Sequence, residues 1–258
     1  MKPACVHLAS DLHLGAPGRL SSLERERAFV QWMRQAARGE GFASGGRTAT
    51  EIHLVGDVFD FWFEYKHAVP KGGVRLMGAI AELTDEGLPI HFHAGNHDMW
   101  TFGYLEQELG VEVHHAPILR TWDGLHCLIG HGDGLGRGDA GYSRLKKVFT
   151  SRACQKAFRL LHPDLGVSIA RTWSKSSRQK GEHPATDPGK EQLYNYAKAW
   201  LDDSSQPHVD LFVFGHRHVP LDLPIQGHDS RYINSGDWLE HHTSVIIQDG
   251  GAELVHHT

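Results

Sequence analysis

The ten residues Glu51 to Asp60, EIHLVGDVFD, constrain this chain more than any other stretch. Ile52, Leu54 and Val55 make a short apolar run that Gly56 interrupts, the pattern of a buried strand ending in a tight turn. The turn carries two carboxylates, Asp57 and Asp60, to the C-terminal end of the strand, the edge of an open α/β sheet where ligands collect. Burying two unpaired acids there would be costly, so the pattern asks for a cation. A single Asp in this place would be better explained as a cap on the following helix. Repetition alters that balance.

Four more predicted strands end in the same way. Residues 4–9, ACVHLA, lead into Asp11-Leu12-His13, and two residues two apart in extended backbone point to the same side. Pro89 to Ala94 leads into Gly95-Asn96-His97-Asp98, Leu125 to Gly130 into His131-Gly132-Asp133, and Asp210 to Phe214 into Gly215-His216-Arg217-His218. Taken singly, a D-x-H triplet reads as a turn Asp and a surface His. Five strand ends that each pair Asp, Asn or His with a glycine point to one shared cation centre. Oxygen and imidazole donors without thiolate suit Mn²⁺, Fe²⁺ or Zn²⁺.

The rest of the chain surrounds these ends with helices. Leu23 to Arg38 and residues 73–87 have helical spacing, and Leu105 to His114 reads as a short helix and a strand. RYINSGDW and SVIIQD, between Ser230 and Val255, read as strands joined by a turn. Apolar strands separated by helices give an α/β plan. Phe59, Phe61, Trp62 and Phe63 form an aromatic cluster that suits packing, or the wall of an apolar substrate site. At 258 residues a single domain is expected. No apolar run is long enough to span a bilayer, and MKPACVHLASDLHL enters the first strand with no room for a signal peptide. Three scattered cysteines, Cys5, Cys127 and Cys154, suggest a reducing compartment, with cytoplasm the expected location. Of the 21 histidines, His91 and His93 read as structural, and His114, His115, His241, His242, His256 and His257 as exposed surface.

In the order D-x-H, G-D-x-x-D, G-N-H-D, H-G-D, G-H-x-H, the motifs between Asp11 and His218 resemble the calcineurin-like metallophosphoesterase superfamily. The resemblance implies an α/β metallophosphoesterase β-sandwich, two mixed sheets flanked by helices. It also implies two divalent ions, with Mn²⁺ favoured and Fe²⁺ or Zn²⁺ possible. Asp11, His13 and His218 would hold one ion and Asn96, His131 and His216 the other, with Asp57 bridging them and a shared hydroxide as nucleophile. By the same resemblance His97 would meet the phosphoryl group, oriented by the acid three residues after Asp57, which is Asp60.

Residues 138–205 interrupt these motifs with a segment of different character. Tyr142 to Phe149, Ala153 to Leu161, Leu165 to about Lys175 and Glu191 to Leu201 have helical spacing, and His162-Pro163 stops the second. Between Arg137 and Lys180 eleven Lys and Arg face two acids, a net +9 within a chain of −5, which leaves −14 elsewhere. A basic insert on an acidic body suits an anionic partner. The insert reads as a surface bundle or as a lid with basic groups for phosphate and an apolar interior. FDFWFEY, HGDGLGRGDAGY and ARTWSKSSR are similar to the UDP-2,3-diacylglucosamine pyrophosphatases of lipid A biosynthesis. That likeness implies hydrolysis of UDP-2,3-diacylglucosamine to UMP and 2,3-diacylglucosamine 1-phosphate by a peripheral enzyme on the cytoplasmic face of the inner membrane. It would put Asn96, His97, Asp139, Tyr142, Arg171, Ser174, Arg178 and His216 against the substrate. The alternative is the same chemistry on another phosphodiester or phosphomonoester, of a nucleotide or a phosphoprotein. A third reading, a metal-stabilised interaction module without catalysis, would be favoured by a missing ligand or a missing His97, and neither is missing. Nucleic acid is not expected as a partner, because the acidic body would repel a long polyanion and no aromatic stacking platform is evident.

Overall fold

The computed structural model describes residues 3–41, 45–136, 140–181 and 188–257, apart from the side chains of 140–144, 171, 173, 175–181 and 188. Its first half alternates strand and helix: β1 (Cys5–Ala9), α1 (Ser22–Arg38), β2 (Glu51–Leu54), α2 (Val74–Asp85), β3 (Ile90–His93), α3 (Tyr104–Leu109) and β4 (Glu112–His114). α1 begins at a reciprocal cap between Ser21 and Glu24 and ends at Gly39 in the left-handed conformation. β5 (Ile118–Trp122) and β6 (Leu125–Gly130) form a hairpin over Asp123-Gly124, both at positive φ. Then come α4 (Ala140–Phe149), α5 (Arg152–Arg159), α6 (Pro163–Gly181), a short 3-10 turn at Pro188–Lys190 and α7 (Gln192–Asp202). β7 (Leu211–Phe214), β8 (Pro220–Pro224), β9 (Arg231–Ser235), β10 (Thr243–Gln248) and β11 (Gly251–His256) complete the chain.

The strands make two mixed sheets, ordered β11-β10-β1-β2-β3-β4 and β5-β6-β7-β9-β8. β1 to β4 are parallel, as are β6, β7 and β9, while antiparallel strands close the edges. The sheets face each other across an aliphatic layer that includes Val6, Leu8, Val245 and Ile247 from one and Ile129, Leu211, Val213 and Ile233 from the other. α1 and α2 cover the outer face of the first sheet through Phe29, Met33, Leu76 and Ile80. α7 covers the second through Leu193, Tyr194 and Ala197 against Phe212, Phe214 and Tyr232. This is the helix-flanked pair of mixed sheets that the motif resemblance implies.

Two expectations need correction. RYINS and TSVIIQ do not pair with each other: β9 lies parallel to β7 in the second sheet, and β10 lies antiparallel to β1 in the first. Both are apolar enough for central strands, so local pattern could not choose between sheets. α6 is longer than expected at both ends: it opens at Pro163, where a missing N–H costs nothing, and runs on to Gly181. Within the segment 138–205 the last helix, α7, packs on the second sheet between parallel β6 and β7.

His7 on β1 is buried, and desolvation together with nearby His257 lowers its pKa from 6.5 to about 4. The unfolded chain therefore binds the extra proton, so this contribution is complete above about pH 6.5 and is lost as pH falls towards 4. At about 1.4 kcal/mol per pKa unit, one such ring accounts for roughly 3 kcal/mol. Urea unfolding followed from pH 7 to pH 4.5 should show stability falling with acidity, and His7→Phe should make that fall shallower.

Candidate metal centre

The parallel strands of both sheets point their C-terminal ends at one place. β1 delivers Asp11 and His13, β2 Asp57 and Asp60, β3 Asn96 and His97, β6 His131, and β7 His216 and His218. Among the described residues, eight other than glycine have positive φ, and five of them are Asp11, His13, Asp57, His216 and His218. Such backbone is unfavourable for residues with a Cβ and is kept where surrounding contacts over-determine it. Here those contacts are visible. Buried Arg25 donates to the carbonyls of Leu12, His13, Leu20 and Ala16 at 2.8–3.0 Å and holds the loop that carries His13. The Asp98 carboxylate accepts from the N–H groups of Val58 at 2.8 Å and Gly95 at 2.7 Å, joining the second and third strand ends.

Each donor group is held from behind. Asp11 Oδ2 accepts from Ser10 Oγ at 2.5 Å and from His216 N at 2.9 Å, which leaves Oδ1 facing inward. Asp57 Oδ1 accepts from His97 N at 2.8 Å, which leaves Oδ2 inward. His218 Nδ1 lies 3.2 Å from Asp237 Oδ2, and its Nε2 lies 3.4 Å from Asp11 Oδ1. His131 Nδ1 donates to the Val55 carbonyl at 2.9 Å, so its Nε2 meets Asn96 Oδ1 at 3.2 Å and Asp57 Oδ2 at 3.3 Å. Three acceptor atoms thus face one another. Positive charge alone satisfies such a set, either as a proton on His131 or as a metal ion.

The inward atoms fall into three groups, Asp11-His13-His218, His13-Asp57-His97 and Asp57-His131-His216, each with ligand atoms within 4.8 Å of one another, and the second shares a residue with each of the others. His13 Nε2 lies between the two carboxylates, 3.7 Å from Asp11 Oδ1 and 3.6 Å from Asp57 Oδ2. Asp11 Oδ1 and both ring nitrogens of His13 are buried with no hydrogen-bond partner among the described residues. Unpaired buried polar atoms are rare, and a shared divalent ion is the simplest group that would satisfy these together. Burial disfavours charge on Asp57, yet the rings of His131, His97 and His13 outweigh it and hold its pKa well below the ordinary value. For His131 the balance of burial against Asp57, Asp11 and Asp133 raises the pKa well above 6.5. Burial lowers His216 to about 4, so its ring is neutral and has a lone pair to offer at neutral pH.

Against this geometry the sequence comparison is decisive. A UDP-2,3-diacylglucosamine hydrolase of Porphyromonas gingivalis is 33% identical over 259 residues, spanning 95% of this chain and 94% of that protein. The chain belongs to the UDP-2,3-diacylglucosamine hydrolase family. A hydrolase of that name from Aeromonas hydrophila is 25% identical over 96% of both chains. No family model matches. The solved structure of an archaeal phosphodiesterase covers 98% of this chain and 99% of its own, with 13% identity and a TM-score of 0.45, too low to bear on function.

In this member of the UDP-2,3-diacylglucosamine hydrolase family the seven residues expected to bind metal come together, and His97 joins them with Nε2 3.9 Å from Asp57 Oδ2. Asp60 faces His97 with two groups. Its backbone carbonyl, 3.0 Å from His97 Nδ1, orients that ring, while its carboxylate is 3.7 Å away and accepts from Ser174 Oγ at 2.6 Å. The expected substrate contact Ser174 therefore links α6 to the metal centre. Asp139 and the side chains of Tyr142, Arg171 and Arg178 lie outside the described residues. Sequence reasoning gave no role to Arg25, Asp98 or Asp237. Asp98 and Asp237 each follow a strand and a glycine, as the recognised acids do, whereas nothing near Arg25 in the sequence marks it.

Two glycines let the strand ends close on each other. A Cβ on Gly95 would fall 2.5 Å from Asp57 N, and one on Gly215 would fall 2.6 Å from Asp11 Oδ2. Gly95→Ala is expected to weaken divalent-cation binding by about tenfold or more in calorimetric titration. Gly78→Ala, on α2 with open space around it, should leave that binding unchanged.

Proposed function

We propose that this chain hydrolyses the pyrophosphate of UDP-2,3-diacylglucosamine to UMP and 2,3-diacylglucosamine 1-phosphate. The observation that carries the reading is a cavity of about 260 Å³ that starts at Asp60, Asn96 and His97 and continues over Phe61, Trp100, Phe149, Phe158 and Ile169. A site that offers ionic groups at one end and an aromatic and aliphatic channel at the other suits a phosphate carrying acyl chains. α4, α5 and α6 form the far wall, and we read them as a lid within a single domain. Phe158 on α5 packs against Phe61, Phe63 and Trp100, and Lys146 on α4 reaches Asp133 at 2.7 Å.

Two ions held by Asp11, His13 and His218 and by Asn96, His131 and His216, with Asp57 between, would polarise phosphoryl oxygens and acidify the attacking water. Mn²⁺ is our first choice, and the donor set also admits Fe²⁺ or Zn²⁺. His97 is the chain's own contribution to proton movement. Burial lowers its pKa to about 4 despite Asp57, so the free ring is neutral. Its Nδ1–H is committed to the Asp60 carbonyl, leaving the Nε2 lone pair towards the centre. A neutral ring in that tautomer accepts a proton. Donation to a phosphoryl oxygen needs the imidazolium, which an arriving pyrophosphate dianion favours. Tyr142, Arg171 and Arg178 remain candidates for the phosphates and acyl region, and Asp139 for the sugar.

Of the nine exposed large apolar side chains among the described residues, five are Leu145, Val148, Leu160, Leu165 and Ile169, on or beside the basic helices α4 to α6. Apolar tips among Lys146, Lys147, Arg152, Lys156 and Arg159 support peripheral contact with an anionic membrane, for which we favour the cytoplasmic face of the inner membrane. No helix among the described residues is long and apolar enough to cross a membrane.

UMP release from UDP-2,3-diacylglucosamine in detergent micelles tests the assignment. Turnover of that lipid well above that of acyl-free UDP-glucosamine is expected. Hydrolysis of aryl phosphodiesters without UMP release would instead favour another phosphoester as substrate. His97→Ala should lower kcat by about 10²-fold or more while bound metal, measured by mass spectrometry, stays at the wild-type level. Phe158→Asp should raise KM for the diacyl substrate and leave hydrolysis of a small aryl ester unchanged.

A further inference from the structure

A second set of metal-type ligands lies away from the strand-end centre, on the inner face of the first sheet. One row of that face runs Val245, Leu8, His53, His91, Glu112 across β10, β1, β2, β3 and β4. Leu8 and Val245 belong to the aliphatic inter-sheet layer, whereas beyond β1 the row turns to imidazole and carboxylate. His53, His91, His93 and His114 are packed ring against ring, with His53 and His91 stacked at 4.4 Å and 17°. His114, expected on the exposed surface, has only 9% of its side chain accessible. Aliphatic side chains would fill this space without desolvating four polar rings.

Glu51 Oε2 lies 3.2 Å from His53 Nε2 and 3.1 Å from His91 Nε2, and the three residues form a group able to hold an ion. Ligand atoms about 2.0–2.1 Å from a tetrahedral Zn²⁺ are about 3.3 Å apart, so these spacings need little adjustment. The outer atoms of all three residues are also engaged. His53 Nδ1 pairs with His93 Nε2 at 3.0 Å, His91 Nδ1 with His114 Nε2 at 3.1 Å and Glu112 Oε2 at 3.3 Å, and Glu51 Oε1 accepts from Trp122 Nε1. Such outward bonds fix tautomer and ring orientation in metal sites.

We propose that Glu51, His53 and His91 form a further divalent-cation site, of two imidazoles and one carboxylate, suited to Zn²⁺ or a similar borderline ion. It joins β2 to β3 at the end of β2 opposite to the Asp57 turn. Glu51 is half-buried, which leaves a route to solvent.

The test uses the full chain and Zn²⁺, in an Asp57→Asn background that weakens the strand-end centre. Equilibrium dialysis should find one Zn²⁺ retained there and lost when Glu51→Gln or His91→Gln is added, with the circular dichroism spectrum unchanged. A second measurement needs no variant at these positions. In the wild-type protein labelled with ¹⁵N-histidine, saturating Zn²⁺ should move the Nε2 resonances of both His53 and His91 to metal-bound values. Unchanged stoichiometry in both added variants, or unmoved Nε2 resonances, overturns the proposal. Either result is separable from the hydrolase reading, which rests on Asp57 and its neighbours.

Discussion

Two buried carboxylates, Asp11 and Asp57, approach the same imidazole, His13, and the rest of the structure is arranged to tolerate them. Like charges in a dry setting repel, and no lysine or arginine is among the partners described for either side chain. One oxygen of each is instead tied by N–H or O–H donors, Ser10 and His216 for Asp11 and His97 for Asp57. The other oxygen of each is left facing inward. This leaves a focused negative pocket ringed by histidines, the arrangement that selects divalent cations.

The architecture follows from that requirement. No single strand could present enough donors, and a single sheet would spread them in a line. Here β1, β2 and β3 bring Asp11, Asp57 and Asn96 from one sheet, while β6 and β7 bring His131 and His216 from the other. The aliphatic layer between the sheets sets how closely those ends approach. Gly95 and Gly215 remove the atoms that would collide at closest approach. Strained backbone at five site residues is offset by this packing and by buried Arg25, whose guanidinium donates to the loop carbonyls described above.

The helices between β6 and β7 divide their tasks by what they cover. α7 completes the core of the second sheet, as a crossover helix should. α4, α5 and α6 lie against the aromatic cluster that follows β2, and Ser174 ties α6 to the same Asp60 whose carbonyl holds His97. The cluster itself is split: Phe59, Trp62 and Phe63 are buried in packing, while Phe61 lines the cavity. The packing and substrate-wall roles weighed for these aromatics are thus given to different residues one or two positions apart.

Much of this was legible in the sequence because it is local. Apolar runs broken by glycine marked β1, β2, β3, β6 and β7, and the polar residues just beyond each break are those that meet at the centre. Short-range rules did not reveal β5 or β8, although Asp123-Gly124 is a hairpin signal in plain sight. What tertiary structure alone decided depends on residues far apart in the chain. β9 and β10 separated into different sheets, Asp60 brought its carbonyl as well as its carboxylate to His97, and Arg25 reached a loop twelve residues away. The histidines spread over β2, β3 and β4, unremarkable as E-x-H and H-x-H, became one cluster only through strand register. The sequence determined which chemical groups stand at each strand end, since turn and strand geometry are set by neighbours. Which of them touch was decided by the packing of two sheets, a property of the whole chain.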